Sequence, residues 1–260
     1  MDWRRRLKRG FSLIEMAIVL TVIGIILSGG LLAVAPVLES SKGNETNAKL
    51  DRIEQALTLY VIRYGCLPCP AEPGIASGTA NAGQSHGAAY YSSGCTTACD
   101  ATTVATQGIV PWVTLGLSEE EGRDGYGYRI DYAVTAALVA TNGMVRTPPA
   151  TYPAGTLAVA VSAANDATAI ATRTKVSSTA AYVLISHGVD HSLAWNVAGK
   201  QLPDPNSGPD QTENSNGTPF VQDTPVKNAG TYTYFDDIVR FRTAPMIIQL
   251  CGTNACGNPA

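Results

Sequence analysis

Six cysteines fall in three close pairs, Cys66/Cys69, Cys95/Cys99 and Cys251/Cys256. Three chemistries use such spacings: a Cys-x-x-Cys redox couple, a four-cysteine zinc site and a disulfide framework. A redox couple sits ahead of a helix, whose N-terminus lowers a thiol pKa, whereas Cys66 and Cys69 follow a helical pattern. Zinc suits a cytosolic chain, and an exported one favours disulfides. A second group, Ser186, His187, Asp190 and His191, contains acid/base and nucleophile types. Histidines four apart share a face only on a helix, yet Gly188 lies between these and an apparent strand precedes them, so a strand-end turn is the simpler account. Ser186 lacks the glycine pattern of a nucleophile elbow, and no catalytic set is expected. Asp190, Asp204, Asp210, Glu213, Asp236 and Asp237 offer the oxygen ligands calcium takes, but without calcium-loop spacing. Turn-forming aspartate accounts for them, and no metal or other cofactor is expected, calcium being the alternative.

These residues must be positioned by elements, and the first is the most clearly written. Residues 16–38 are apolar apart from Thr21 and Ser28. At about 1.5 Å per residue this run exceeds a bilayer core of about 30 Å. Within residues 1–10, Arg4, Arg5, Arg6, Lys8 and Arg9 stand against Asp2, about +4, so of the net charge of −3 the chain beyond residue 10 holds about −7. The basic cluster predicts a cytoplasmic N-terminus and an exported remainder. The acidic main body gives no general reason to expect nucleic-acid binding. An ordinary signal peptide could be cut after Ala33-Val34-Ala35, but Pro36 would then follow the scissile bond and Glu15 interrupts the start of the apolar stretch. A plain anchor explains the hydrophobicity and nothing else.

Beyond Pro36, which predicts a kink, residues 40–47 are polar and a second helical period follows. Ile53, Leu57, Tyr60 or Val61, and Tyr64 recur on one face, with Asp51, Arg52, Glu54 and Gln55 on the outer one. Gly65 is placed to stop it. Residues 74–108 read as a long loop region stapled by cysteines, and residues 199–230 as an ordered surface loop or insertion. After the turn-like Asp124-Gly125-Tyr126-Gly127, the alternation of Tyr128, Ile130 and Tyr132 with Arg129 and Asp131 predicts a strand buried on one side. Further strands are predicted at Leu157, Val159 and Val161, at residues 182–186, and where Val239 and Phe241 oppose Arg240 and Arg242.

The string Arg9-Gly10-Phe11-Ser12-Leu13-Ile14-Glu15, leading into the apolar run, resembles the leader and cleavage site of type IV prepilins and type II secretion pseudopilins. Shorter strings resemble one group of prepilin-type proteins: Leu67-Pro68-Cys69-Pro70, Val110-Pro111-Trp112 with Leu115-Gly116-Leu117, Leu184-Ile185-Ser186-His187-Gly188 and Phe235-Asp236-Asp237-Ile238-Val239. Residues 124–132 resemble the pseudopilin turn and strand, with Tyr126 where a tryptophan is common. The resemblance implies cleavage after Gly10 and N-methylation of Phe11 by a prepilin peptidase. It also implies that Glu15 neutralises the new amine, commonly that of a neighbouring subunit.

The expected fold is α+β and pilin-like, a long N-terminal helix packed on an antiparallel β-sheet. Its parts are a basic leader (1–10), a transmembrane and assembly helix (11–38), an amphipathic outer half (39–64) and an extracytoplasmic β-rich domain with disulfide-closed loops (65–260). Cys251 is expected to pair with Cys256, and Cys66 and Cys69 with Cys95 and Cys99 in an order left open. The expected function is a structural subunit of a pilus-like or pseudopilus filament, not an enzyme. It would be held in the inner membrane, in contact with lipid, before joining other pilin-like subunits at an assembly platform, and would end in a periplasmic or cell-surface filament. A minor tip subunit that binds a surface or substrate is the alternative; an anchored hydrolase is the enzymatic one.

Overall fold

The computed structural model describes residues 12–87, 89–99, 107–145, 152–161, 172–204, 208–217, 219–226, 235–251 and 256–257, without the side chains of 26–36. The chain divides into two units, Met1–Ser41 and Lys42–Ala260. One helix, α1 (Leu13–Tyr64), runs through both and is uninterrupted at Pro36.

In the first unit the described apolar side chains of the helix all face outward. Among the described residues no helix is long and apolar enough to cross a membrane. Residues 26–36, the middle of the predicted span, lie outside the described side chains.

In the second unit α1 is the spine of the core. Leu50, Ile53, Leu57 and Val61 are fully buried at helical spacing, and each such burial contributes about 1.5–3 kcal/mol. Glu54, expected on the outer face, is buried instead and accepts from Arg242 at 2.8 and 3.1 Å. Gly65 ends the helix in the left-handed region (φ +73), its N–H bonded to Val61 O at 2.8 Å. The C-terminal segment completes this cap, since Gly257 donates to Ile62 O at 2.9 Å.

Two short strands, β1 (Ser85–His86) and β2 (Tyr90–Tyr91), pair within the cysteine-rich loops. Next come β3 (Gln107–Ile109), α2 (Trp112–Leu115), β4 (Asp131–Val134), β5 (Leu157–Val161) and β6 (Lys175–Ser186). Then follow α3 (Pro209–Asn216), β7 (Phe220–Gln222), β8 (Ile238–Thr243) and α4 (Ala244–Ile248). Strand β6 is central, pairing antiparallel with β4 (Asp131↔Ile185), β5 (Leu157↔Ala180) and β8 (Val239↔Ile185). β3 flanks β4, and β7 lies parallel to β5 (Val159↔Phe220). The expected antiparallel sheet is therefore a mixed one. The reason is that the chain leaves β5, forms β6 and α3, and returns alongside β5 in the same direction.

One sheet face, carrying Tyr132, Val134, Tyr182 and Leu184, packs on α1. The opposite face holds a second core of Ala133, Val159, Val183, Ile185, Phe220 and Val239. Two-sided burial overturns the predicted one-sided strand: Arg129 and Asp131 are buried, not solvated. It also revises residues 199–230, which supply α3 and β7 as a covering layer rather than a surface loop alone. Within 74–108, Gly83 (φ +72) lies flat on Trp112, where a Cβ would stand 2.0 Å from the indole.

Candidate functional site

The helix start carries the first group of candidate residues. Gly10 and Phe11 lie outside the described residues. Ser12 opens α1: its carbonyl accepts the N–H groups of Glu15 and Met16 at 3.0 and 3.1 Å, and its Oγ accepts that of Ile14 at 3.4 Å. Glu15 is exposed in the first turn, three residues after Ser12, where a carboxylate complements the positive end of the helix. Thr21 returns its hydroxyl to Ala17 O, so the one polar side chain among residues 16–25 makes its hydrogen bond within the helix. Over residues 13–25 the described helix is thus an exposed apolar segment with one carboxylate, Glu15, in its first turn.

The second unit grips α1 at its own end of the helix. Asp124 organises the turn, its Oδ1 accepting from Tyr126 N and Tyr128 N at 2.9 and 3.0 Å and its Oδ2 from Ser186 Oγ at 2.7 Å. Burial pushes its carboxyl above the usual range, and these donors oppose that shift. Gly125 then approaches the helix so closely that a Cβ would stand 2.3 Å from Lys42 O, and its N–H donates to Thr46 Oγ1 at 2.9 Å. Lys49, also buried, reaches Glu45 and Glu120 at 2.9 Å each. Burial pulls its pKa down, but the two carboxylates outweigh that and hold it above the usual lysine value. On the opposite flank Arg240 pairs with Asp51, and Arg242 with Glu54.

The cysteines close the loops beside the helix end, with Cys66 bonded to Cys95, Cys69 to Cys99 and Cys251 to Cys256. Cys66 and Cys69 thus belong to different bridges and form neither a redox couple nor a thiolate zinc site.

Behind the sheet, His187 Nε2 lies 3.3 Å from Asp131 Oδ2, and its Nδ1 lies 3.7 Å from Asp237 Oδ1, all buried. Burial lowers the imidazole pKa, but the two carboxylates outweigh it and hold the value well above the usual one. Around this core α3 turns inward a polar face. Gln211 donates to Asp236 at 2.7 Å, Asn214 to Asp237 at 2.8 Å, and Asp210 accepts from Arg173 at 2.6 Å. Burial and the neighbouring Asp190 push Asp236 up to about 6. Of the calcium candidates, Asp190, Asp236 and Asp237 meet here. Asp204 instead accepts from Ser192 and Thr212 at 3.2 Å, and Asp210 is turned to Arg173. Among the described residues no group of three or more His, Cys, Asp or Glu could hold a metal ion, and the carboxylates are engaged by amide, hydroxyl, guanidinium and imidazole donors. Ser186, His187 and His191 form no nucleophile–base pair: Ser186 serves Asp124, His187 faces Asp131 and Asp237, and His191 stacks on Tyr128 at 4.2 Å.

Sequence reasoning missed Arg129. Fully buried, it donates to Pro73 O, Ile75 O, Ser77 Oγ and Val197 O at 2.8–3.3 Å, lies over Trp112 at 5.4 Å, and ties two loops to the sheet edge. It missed Thr46 and Lys49 as well; a lysine directly before the buried Leu50 in an amphipathic period is the signal that was available.

Residues 5–31 match the family model of the prokaryotic N-terminal methylation motif. The chain carries the type IV pilin and pseudopilin leader signature. That signature indicates a membrane-anchored precursor that is later exported, and implies processing by a prepilin peptidase and assembly with other pilin subunits. The family it marks is structural rather than enzymatic. No curated protein and no solved structure matches the chain.

Proposed function

We propose that this pilin-type chain is a structural subunit of a type IV pilus-like or type II secretion pseudopilus filament. It is cut after Gly10, methylated on Phe11, held in the inner membrane with its head outside, and then drawn into the filament. The observation that carries the reading is one continuous helix that opens on the methylation motif and continues as the core spine of Lys42–Ala260. A subunit of this kind needs an apolar segment that can exchange lipid for protein, and a head that cannot come loose from it. The exposed apolar helix start supports the first need, and the clamp of Asp124, Thr46, Lys49 and Glu54 supports the second. Glu15 then serves as counter-ion to the methylated amine of a neighbour as the subunit leaves the membrane. The assembly platform and the lipid around the helix are its other partners.

Intact mass and N-terminal peptide mapping of the mature protein test the reading. The expected product begins with N-methylated Phe11. A mature chain starting at Pro36 would establish an ordinary secretory leader, and an uncut N-terminus a plain anchor.

A further inference from the structure

The disulfides join segments that the order of the chain would pair differently. Cys66 and Cys69 lie three positions apart and Cys95 and Cys99 four, yet each bridge runs from one pair to the other, across separations of 29 and 30. Several contacts that hold the two segments in place come from residues beyond Cys99. The Leu67 N–H donates to Leu138 O at 2.9 Å, the Tyr132 hydroxyl to Pro68 O at 3.1 Å, and the Thr96 N–H to Val139 O at 3.3 Å. Leu67 and Cys69 are buried in one core with Tyr132, Leu138 and Val139. In a head that leaves the cytoplasm in sequence order, the four cysteines are outside before the residues that choose between their pairings. Leu138 follows Cys99 by about 40 residues, roughly 2–8 s at synthesis rates of about 5–20 residues per second. During that interval chain entropy does the choosing. Loop closure alone favours Cys66 with Cys69 over Cys66 with Cys95 by about thirtyfold, and Cys95 with Cys99 over Cys69 with Cys99 by about twentyfold.

We propose that the head passes through this locally bridged isomer and reaches its native pairing by exchange with a thiol–disulfide isomerase, a partner that presents an accessible cysteine thiolate. Of the filament reading this takes only the export of the head. A disulfide-bearing oxidase of the same compartment closes the local bridges, accepting two electrons for each. The local isomer cannot complete the fold. Joining Cys66 to Cys69 turns both sulfurs away from residues 95–99, whereas in the folded head the Cys66 Cα stands 5.8 Å from that of Cys95 and the Cys69 Cα 5.5 Å from that of Cys99. Nor can the isomer correct itself, since with Cys251 bonded to Cys256 the chain holds no thiolate to start an exchange. An external thiolate attacks Cys95 Sγ, forming a mixed disulfide and releasing the Cys99 thiolate. Cys99 then attacks Cys69 Sγ, which closes one native bridge and releases the Cys66 thiolate. Cys66 attacks Cys95 Sγ in the mixed disulfide, closing the second bridge and returning the partner's thiolate. Two disulfides become two disulfides, with no net oxidation. The exchange precedes packing, because Cys66 and Cys69 are fully buried in the finished head and no thiolate reaches them there.

The test follows the full chain in cells that export it, with and without the thiol–disulfide isomerase of that compartment. At intervals after a pulse of synthesis, exchange is stopped with acid, free thiols are alkylated, and the chain is cleaved at Glu72, between the two cysteine pairs. Nonreducing peptide maps then separate bridges closed inside one peptide from bridges that join two. The expected course is early Cys66/Cys69 and Cys95/Cys99 bridges that give way to Cys66/Cys95 and Cys69/Cys99. Without the isomerase the local isomer accumulates, and the native yield falls at least about tenfold, the order of the closure advantage. Cys69→Ala with Cys99→Ala removes both local pairs, so this variant is expected to join Cys66 to Cys95 equally in the two strains. Native bridges that appear first, a native yield unchanged without the isomerase, or a double variant that still depends on it overturns the proposal and leaves the filament reading standing. A chain whose six cysteines all stay reduced overturns the export on which both rest.

Discussion

Replacing Arg129 with methionine is the sharpest test of how the head domain is built. The substitution keeps much of the apolar stem, with its packing against Trp112, and removes the guanidinium. Four acceptors lose their donor: Pro73 O at 2.9 Å, Ile75 O at 2.8 Å, Ser77 Oγ at 3.1 Å and Val197 O at 3.3 Å. Hydrogen bonds from a charged donor are worth about 1.5–3 kcal/mol each, so the first three represent roughly 4–9 kcal/mol gross. Against this stands the cost of burying the cation, several kcal/mol in a folded protein, which appears here as an arginine pKa depressed by desolvation. Glu119, 3.8 Å away and partly exposed, returns little of that cost. The expected net loss is about 3 kcal/mol. For a domain of this size that lowers the melting temperature by roughly 6–12 °C. Thermal unfolding of the purified full chain, followed through tryptophan fluorescence because Trp112 and Trp195 both adjoin Arg129, reads the effect. Arg129→Lys should recover only part of it, since one ammonium cannot span carbonyls on two loops. A methionine variant within about 1 kcal/mol of the wild type would refute the argument, because the network would then be balanced by its desolvation cost.

Three further outcomes are expected. Glu15→Leu and Glu15→Val should insert and be cleaved normally but fail to enter filaments, with Glu15→Asp partly functional; comparing processed subunit in membranes with sheared filaments decides, and normal assembly of Glu15→Leu removes the counter-ion role. Cys69→Ala with Cys99→Ala should cost about 3.6 kcal/mol, the loop-closure value for the 30-residue separation, and nonreducing peptide maps of the wild type should recover Cys66 with Cys95. His187, held above its usual pKa by Asp131 and Asp237, adds stability that is complete below about pH 6.5 and is lost as pH rises through its folded value; the melting temperature should fall over that range in the wild type, and His187→Gln should flatten the slope.

What could be read in the chain follows from the range of the forces involved. The spacing of Ile53, Leu57 and Val61, the stop at Gly65 and the alternation of Leu157 and Val159 are local consequences of 3.6- and 2-residue periods, and they stand in the structure as buried stripes. Alternation also separates Tyr132 from Arg129 and Asp131, but it cannot say whether water or protein lies beyond the second face. Here protein lies there, and the unbroken apolar run at residues 180–185 was the mark of a strand covered on both sides. The helix α3 of the covering layer escaped notice because it does not bury an apolar stripe. α3 offers Asp210, Gln211 and Asn214 to the interior, a composition that reads as loop, and it is retained because Arg173, Asp236 and Asp237 satisfy those groups from distant parts of the chain. The same holds for Arg129 and Glu54, polar residues whose partners lie 52–68 and 188 positions away. Cysteine pairing sits between these cases: proximity in sequence joins Cys251 to Cys256, whereas the pairing of Cys66 with Cys95 and Cys69 with Cys99 depends on how the loop crosses the end of α1. The N-terminal motif is legible for a different reason. Its constraint comes from a peptidase and a membrane acting on a linear segment, so the information lies in consecutive residues, while the head domain's constraint is a three-dimensional grip on one helix that many sequences can supply.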